Sequence, residues 1–311
     1  MVRIGAAAVA LVLASSAVWA DEITLPASPG ELRGTLLRAV SGTSAILMIA
    51  GSGPTDRNGN GPAGLHTDAY KMLAEGLGAK GISSLRYDKR GIAESRNAMV
   101  SEADLRIQTY AQDASAMAAE LRRQTNAKCV WLLGHSEGAL LAEMVAQKPD
   151  GFCGLVLVSG AGRKAADVLR EQLQAGLPPA MQPAALAAVA ELDAGRLVPN
   201  PPPPPGLFRA SVQPYLISWF EQDPQGLLAK IHLPVLILQG DADIQVSVSD
   251  AKLLAAANPD DKLVVLPGVN HILKMAPADR AANAATYSDA SLPLAPGIVD
   301  AIADFVHEHR P

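Results

Sequence analysis

Val130-Trp131-Leu132-Leu133-Gly134-His135-Ser136-Glu137-Gly138 is followed directly by Ala139-Leu140-Leu141-Ala142-Glu143-Met144. An apolar run of strand length meets Gly-x-Ser-x-Gly, and a small-residue, Leu-rich helical pattern begins at once. In that strand–turn–helix setting the pentapeptide reads as a nucleophile elbow. The turn is so tight that Gly134 and Gly138 must lack side chains, because neighbouring backbone approaches them closely. Ser136 is then held in a strained conformation at the tip, its hydroxyl exposed at a helix N-terminus. The helix dipole and the free N–H of Glu137 favour negative charge developing there.

The rest of the chain bounds what this elbow can belong to. Its 311 residues are 49% hydrophobic and 18% charged, which suits one large α/β domain with an ample core. The formal charge of −5, with no Lys- or Arg-rich block, gives no support to a nucleic-acid partner. Arg3, the apolar stretch 4–17 and the small residue Ala20 before Asp21 read as a secretory signal peptide over residues 1–20, cleaved after Ala20. The apolar run is shorter than the ~20 residues of a spanning helix, so no stable membrane anchor is expected after cleavage. The mature protein is expected to be secreted or periplasmic.

Cys129 and Cys153 are the only cysteines. Export permits a disulfide between them. Each stands at the start of an apolar strand, so neighbouring parallel strands would bring both thiols to the sheet edge opposite the catalytic one. The alternative is two buried free thiols. Neither has a second soft ligand near it for a metal.

Taken in order, 22–25 and 31–39 read as antiparallel strands and 44–50 as a buried parallel strand. The glycine-rich loop 51–61 follows. It lacks the Gly-Lys-Ser/Thr ending and immediate helix of a phosphate loop. An oxyanion loop needs only one free backbone N–H aimed at the elbow, which Gly51-Ser52-Gly53 can supply. Residues 68–80 and 107–123 read as helices and 81–87 as a strand, with the charged turn Asp88-Lys89-Arg90-Gly91 between. In that turn Asp88 and Arg90 are expected to pair with loop backbone or each other. After the strand 155–158 the regularity breaks. Residues 161–229 read as a helical cap with helices over 165–177 and 184–192, a stiff connector at 201–205, and three aromatics within 214–220. Those aromatics either line an acyl pocket or pack the cap onto the core. Strands return at 233–240 and 262–266, and 299–308 is a closing helix. The fold class is therefore α/β, a doubly wound and mostly parallel sheet, with core segments 21–160 and 230–311 and a cap insertion at 161–229.

A serine nucleophile needs a base, and the base needs an orienting carboxylate. Of six histidines, His307 and His309 are C-terminal, His232 precedes a strand, His66 precedes a helix, and His135 is expected to point away from Ser136. His271 follows a strand, at the carboxyl edge where open α/β sheets keep their sites, and is the expected base. Asp241 and Asp243 both lie past the preceding strand. Asp241 is expected to stay in the turn and Asp243 to reach back to His271.

At this point the chain resembles the α/β-hydrolase superfamily over essentially its whole mature length. It is most similar to bacterial esterases of the serine aminopeptidase-like group. The matching segments are Gly51-Ser52-Gly53-Pro54-Thr55-Asp56-Arg57, Arg86-Tyr87-Asp88-Lys89-Arg90-Gly91, Gly134-His135-Ser136-Glu137-Gly138, Gln239-Gly240-Asp241-Ala242-Asp243-Ile244-Gln245-Val246 and Asn270-His271. The family's Gly-x-x-Asp-x-x-Val pattern falls on Gly240, Asp243 and Val246. The resemblance implies a triad of Ser136, Asp243 and His271, with oxyanion donors on the backbone N–H groups of Glu137 and Ser52. It implies hydrolysis of small-molecule carboxylic esters of short to medium acyl chain, with no metal or organic cofactor. Ala93 departs from the glycine common in relatives. Three rival activities use the same triad: an aminopeptidase, which needs an acidic patch such as Glu137, Glu191 and Glu221 could offer, a thioesterase or an acyltransferase. A non-catalytic binding protein on the same scaffold is the reading from another class.

Overall fold

A computed structural model of the protein describes residues 19–62, 64–99 and 101–310. Its strands are β1 (Trp19–Ala27), β2 (Gly30–Arg38), β3 (Ser44–Ile49), β4 (Ile82–Tyr87), β5 (Val130–His135), β6 (Phe152–Val158), β7 (Val235–Gly240) and β8 (Lys262–Leu266). They form one sheet in the order β1-β2-β4-β3-β5-β6-β7-β8. β2 runs antiparallel to both its neighbours, and every pair from β4 onward is parallel. The expected signal peptide falls mostly on residues 1–18, outside the described residues. Its last two residues, Trp19 and Ala20, lie in β1 opposite Arg38 and Leu37. β1 thus starts earlier than the expected 22, because β2 is long enough to pair with all of it.

The inner strands read as unbroken apolar runs because both faces are covered. All six residues of β5 and of β7 are buried. Alternation then splits β3 between two layers: Ile46 and Met48 face one hydrophobic cluster, Leu47 and Ile49 the other. The first layer holds α1 (Ala69–Ala79) and the closing helix. The second holds α2 (Ile107–Thr125), α3 (Glu137–Ala146) and most of the segment between β6 and β7. That segment contains α4 (Ala165–Gly176), α5 (Gln182–Asp193), α6 (Pro205–Phe208), α7 (Gln213–Phe220) and α8 (Pro224–Leu228). Pro205 opens α6, so the proline run ends as a helix start, where its missing N–H costs nothing. Three helices complete the chain: α9 (Val248–Ala257), α10 (Arg280–Ala285) and α11 (Ile298–Glu308). Among the described residues no helix is long and apolar enough to cross a membrane.

Cys129 and Cys153 are joined by a disulfide, with Cα atoms 5.3 Å apart. The register explains how they meet. Val130 pairs with Phe152 but Trp131 with Gly154, so Cys153 is the extra residue of a bulge, turned out of the ladder beside Cys129. The bridge spans 24 residues, and loop-closure entropy sets its worth at about 3 kcal/mol. Replacing both cysteines by serine should lower the unfolding free energy by about that amount in urea titration.

Ala93, where the resemblance leads one to expect glycine, keeps a glycine-like backbone, with φ 41°. A Cβ in the left-handed region costs about 1 kcal/mol or more. Ala93→Gly is therefore expected to stabilise the protein by about 0.5 kcal/mol, net of the entropy that glycine loses on folding. A lower denaturation midpoint for that variant would contradict the strain assigned to this turn.

Candidate active site

β5 ends at His135 and α3 starts at Glu137, so the chain reverses on Ser136 alone. Its backbone sits at φ 56°, ψ −120°, a conformation that costs a side-chain-bearing residue about 1–3 kcal/mol. Two glycines make the turn possible. A Cβ on Gly134 would lie 2.0 Å from the Gly138 carbonyl oxygen, and one on Gly138 would lie 2.2 Å from that of Ile49. The turn is tied to the sheet by the Ser136 N–H, which donates to Val158 O at 2.9 Å.

The loops beyond β7 and β8 bring Asp243 and His271 together. His271 Nδ1 lies 2.8 Å from Asp243 Oδ2, and the Asp243 side chain is fully buried. Asp243 Oδ1 accepts from the N–H groups of Gln245 and Val246 at 2.8 and 2.9 Å, and Gln239 Nε2 donates to Oδ2 at 3.2 Å. Burial pushes this carboxyl up, but the His271 ring and the backbone donors more than offset it and hold it below its ordinary value. An ionised Asp243 takes the Nδ1 proton as its partner and leaves Nε2 free to act as a base. Asp241 instead accepts from Gly268 N–H at 2.6 Å and shapes the turn.

Ser136 and His271 line one cavity of about 140 Å³ with Thr55, Thr67, Gln245 and Tyr287. Among the described residues Ser136 Oγ makes no hydrogen bond to the His271 ring. Such bonds often close only when substrate is bound. Ser136 also opens onto a larger cavity of about 350 Å³ beneath the cap, walled by Leu140, Val168, Leu169, Leu216 and Trp219. The aromatics of α7 divide their work. Phe220 is buried in the core, while Tyr215, edge-on to Tyr110 at 5.6 Å, and Trp219 both line the cavity. The N–H groups of Ser52 and Glu137, both at this junction, find no acceptor among the described residues.

Three residues that sequence reasoning passed over complete the site. Gly51 N–H donates to Tyr70 Oη at 3.2 Å, and Tyr70 Oη lies 2.8 Å from His135 Nδ1. His135 Nε2 lies 2.7 Å from the His271 carbonyl oxygen, and the two ring centroids are 4.7 Å apart with the planes tilted by 56°. The bonds fix one tautomer: Nδ1 accepts from the phenol and Nε2–H donates to the carbonyl. His135 is thus a buried strut from the loop after β3 to the backbone of His271. Lys89 is the third. It is buried against Glu137 and the Gly51 carbonyl. In the same turn Asp88 accepts from Arg57 and Glu94 N–H groups and Arg90 donates to the Ser28 and Ala98 carbonyls, as the loop-backbone reading expects; Arg90 also pairs with Asp113. His66, His232, His307 and His309 do not line either cavity. No group of three or more His, Cys, Asp or Glu among the described residues could hold a metal ion.

Comparison with known proteins places this geometry. The family described as serine aminopeptidase, S33, matches residues 63–214. Est1E from Butyrivibrio proteoclasticus superposes with TM-score 0.59 at 16% identity, covering 93% of this chain and 98% of that one. The chain has the α/β-hydrolase fold. The same α/β-hydrolase fold is found in proline iminopeptidase of Mycobacterium smegmatis, at TM-score 0.58 and 16% identity, over 93% of this chain and 98% of that one. Esterase EstD of Thermotoga maritima is 26% identical over 260 residues, which are 81% of this chain and 59% of that protein. The chain therefore spans less than two thirds of that relative's length.

His135 gives this protein a pH signature. Burial, and then the neighbouring His271, push its pKa down from 6.5 to about 3. Between those values the unfolded chain binds a proton that the native chain does not, so native stability falls as pH falls. From pH 7 to pH 5 this one group should remove about 2 kcal/mol. In urea titrations at the two pH values, His135→Gln should start less stable but lose about 2 kcal/mol less than wild type.

Proposed function

We propose that this protein is a carboxylic ester hydrolase that works through an acyl-enzyme on Ser136. The observation that carries the reading is the convergence at one junction of four parts: a strained serine at a helix N-terminus, an imidazole hydrogen-bonded to a buried carboxylate, and two unpaired N–H donors. Ser136 Oγ attacks the substrate carbonyl carbon as its proton passes to His271 Nε2. The carbonyl oxygen takes the negative charge against Glu137 and Ser52 N–H, each worth about 3 kcal/mol of barrier when well aimed. Asp243 holds the ring and stabilises the imidazolium. Collapse expels the alkoxide, which takes the proton from His271, and water repeats the cycle on the acyl-enzyme.

The cavities favour a division of the substrate. His271 must protonate the leaving alkoxide, and it lines only the smaller cavity. The alcohol therefore belongs there, beside Thr55, Thr67 and Tyr287, and the acyl chain in the apolar cavity under the cap, which suits short to medium chains. The charge inventory favours esters over aminoacyl substrates. Glu137 is the carboxylate lining the larger cavity, and Lys89 occupies it. Glu191 pairs with Arg196 away from the cavity, and Glu221 does not line it. An ammonium group would find no free carboxylate among the described lining residues; the two arginines at the wall, Arg163 and Arg209, are themselves paired with Asp250 and Glu102. The relationship to Esterase EstD points the same way.

Export is part of the reading. The basic, apolar and small-residue order at the N-terminus is that of a cleaved leader, and the disulfide suits an oxidising compartment. Cleavage after Ala20 leaves seven of the nine β1–β2 pairs in place, from Asp21↔Leu36 to Ala27↔Gly30. N-terminal sequencing of protein from the native host should return Asp21; an intact Met1 would refute it.

Nitrophenyl esters from acetyl to palmitoyl, assayed beside aminoacyl-naphthylamides, test the activity. The expected result is rapid turnover of the short and medium esters, a sharp fall for palmitoyl, and little amide cleavage. Ser136→Ala should reduce ester turnover by about 10⁴-fold or more with the fold intact. Amide turnover above ester turnover would transfer the protein to the peptidases.

A further inference from the structure

Lys89 stands in the turn after β4, and neither neighbour accounts for it. Asp88 and Arg90 serve the loops around them, whereas Lys89 turns inward until 1% of its side chain is exposed. A buried ammonium is costly unless its donors are matched. It has three N–H groups, and three partners surround it. The Gly51 carbonyl oxygen lies at 2.6 Å, Glu137 Oε1 at 2.8 Å, and the face of the Tyr110 ring 4.8 Å from Nζ.

Two of those partners carry the proposed oxyanion donors. Glu137 supplies one N–H directly. The Gly51 carbonyl shares a peptide plane with the N–H of Ser52, the other. That peptide is not among the cis bonds of the chain, so its C=O and N–H point in opposite directions. Holding the carbonyl inward on Nζ therefore aims the Ser52 N–H outward, into the cavities that Ser52 and Ser136 share. A cation on the carbonyl oxygen also polarises the amide and strengthens its N–H as a donor, as linked hydrogen bonds do in a low dielectric. Residues 52–54 are exposed and Gly51 has no side chain to steer the plane, so Lys89 is the buried anchor on that peptide's carbonyl.

We propose that Lys89 is a positioning residue of the oxyanion hole: its ammonium holds and polarises the peptide between Gly51 and Ser52 and ties it to Glu137. The two N–H donors are thereby set at a fixed spacing and direction. Lys89 neither touches substrate nor transfers a proton. This inference rests on the ester-hydrolase reading.

The test separates folding from catalysis. Lys89→Met alone strands the Glu137 carboxylate in the interior and can unfold the protein. Lys89→Met/Glu137→Gln removes both charges at nearly constant shape, an exchange that buried pairs tolerate. Lys89→Arg keeps the charge but replaces the compact ammonium with a planar fork. In the neutral pair the melting temperature should stay close to wild type. Its kcat for nitrophenyl butyrate should fall about 10- to 100-fold with KM little changed. The Ki of a trifluoromethyl ketone, which forms a tetrahedral adduct on Ser136, should rise by the factor that kcat/KM falls. If the neutral pair does not fold, Lys89→Arg decides by the same two readouts. Wild-type kcat and Ki in the folded variant overturn the role of Lys89 alone. A wild-type protein without esterase activity, or a Ser136→Ala variant that retains it, overturns the ester-hydrolase reading instead.

Discussion

The site depends on one close contact, the seating of α3 against the end of β3. Gly138 lies so near Ile49 that a single added carbon would be 2.2 Å from its carbonyl oxygen. β3 and β5 are also hydrogen-bonded neighbours, with Ile49 opposite Gly134. The residues that follow Ile49 are therefore delivered beside the residues that follow Gly134. Ser52 and Ser136 meet because two strands end in register and two glycines let the chains touch. Any side chain at Gly138 would lift the helix and separate the proposed nucleophile from the proposed oxyanion donor at a stroke.

That contact brings the parts together but does not aim them. Aiming falls to buried polar groups, whose cost is recovered only when every donor and acceptor is matched. The strut from Gly51 through Tyr70 and His135 to the His271 carbonyl meets this condition. So does the ion pair of Lys89 and Glu137. Glu143 shows the contrast on the same helix. Both its carboxylate oxygens are buried without a partner among the described residues, and burial pushes its pKa well above the ordinary value. A matched charge is kept as structure; an unmatched one gives up its ionisation.

The same division decides what was legible in the sequence. The sheet, its order of elements and the positions of Ser136, Asp243 and His271 follow from local signals: apolar runs of strand length, and polar residues just past their carboxyl ends. Those signals need no knowledge of side-chain packing. Tyr70 shows a helix-face periodicity, which places it in the core and hides the hydroxyl at its tip. His135, beside Ser136 in the elbow, points away from it as expected, and its ring packs against that of His271. Lys89 sits in a charged turn, where solvent is the default expectation. Its inward course depends on Glu137, 48 residues away, and no local pattern links the two. The disulfide was half legible. Parallel neighbouring strands bring the cysteines to one edge, but the bulge that turns Cys153 toward Cys129 is a register event.

Chemistry and selectivity are thus written in different parts of this chain. Every group in the proposed reaction lies at the carboxyl edge of the sheet, on a loop or at the first residue of α3, where main-chain geometry fixes it. The walls that would choose an acyl group come mainly from the cap, and there the determining facts are packing facts. Trp219 faces the cavity while Phe220, next to it on α7, is buried in the core. Which of the two faces inward is set by how α7 lies on α2, α4 and α5, not by anything in the heptapeptide that carries them. A fold that hosts both esterases and a proline iminopeptidase separates them through such surfaces. In this chain the surface places arginines at the wall and ties the Glu137 carboxylate to Lys89. The arrangement that aims the oxyanion donor therefore also removes a negative charge that an aminoacyl substrate would need.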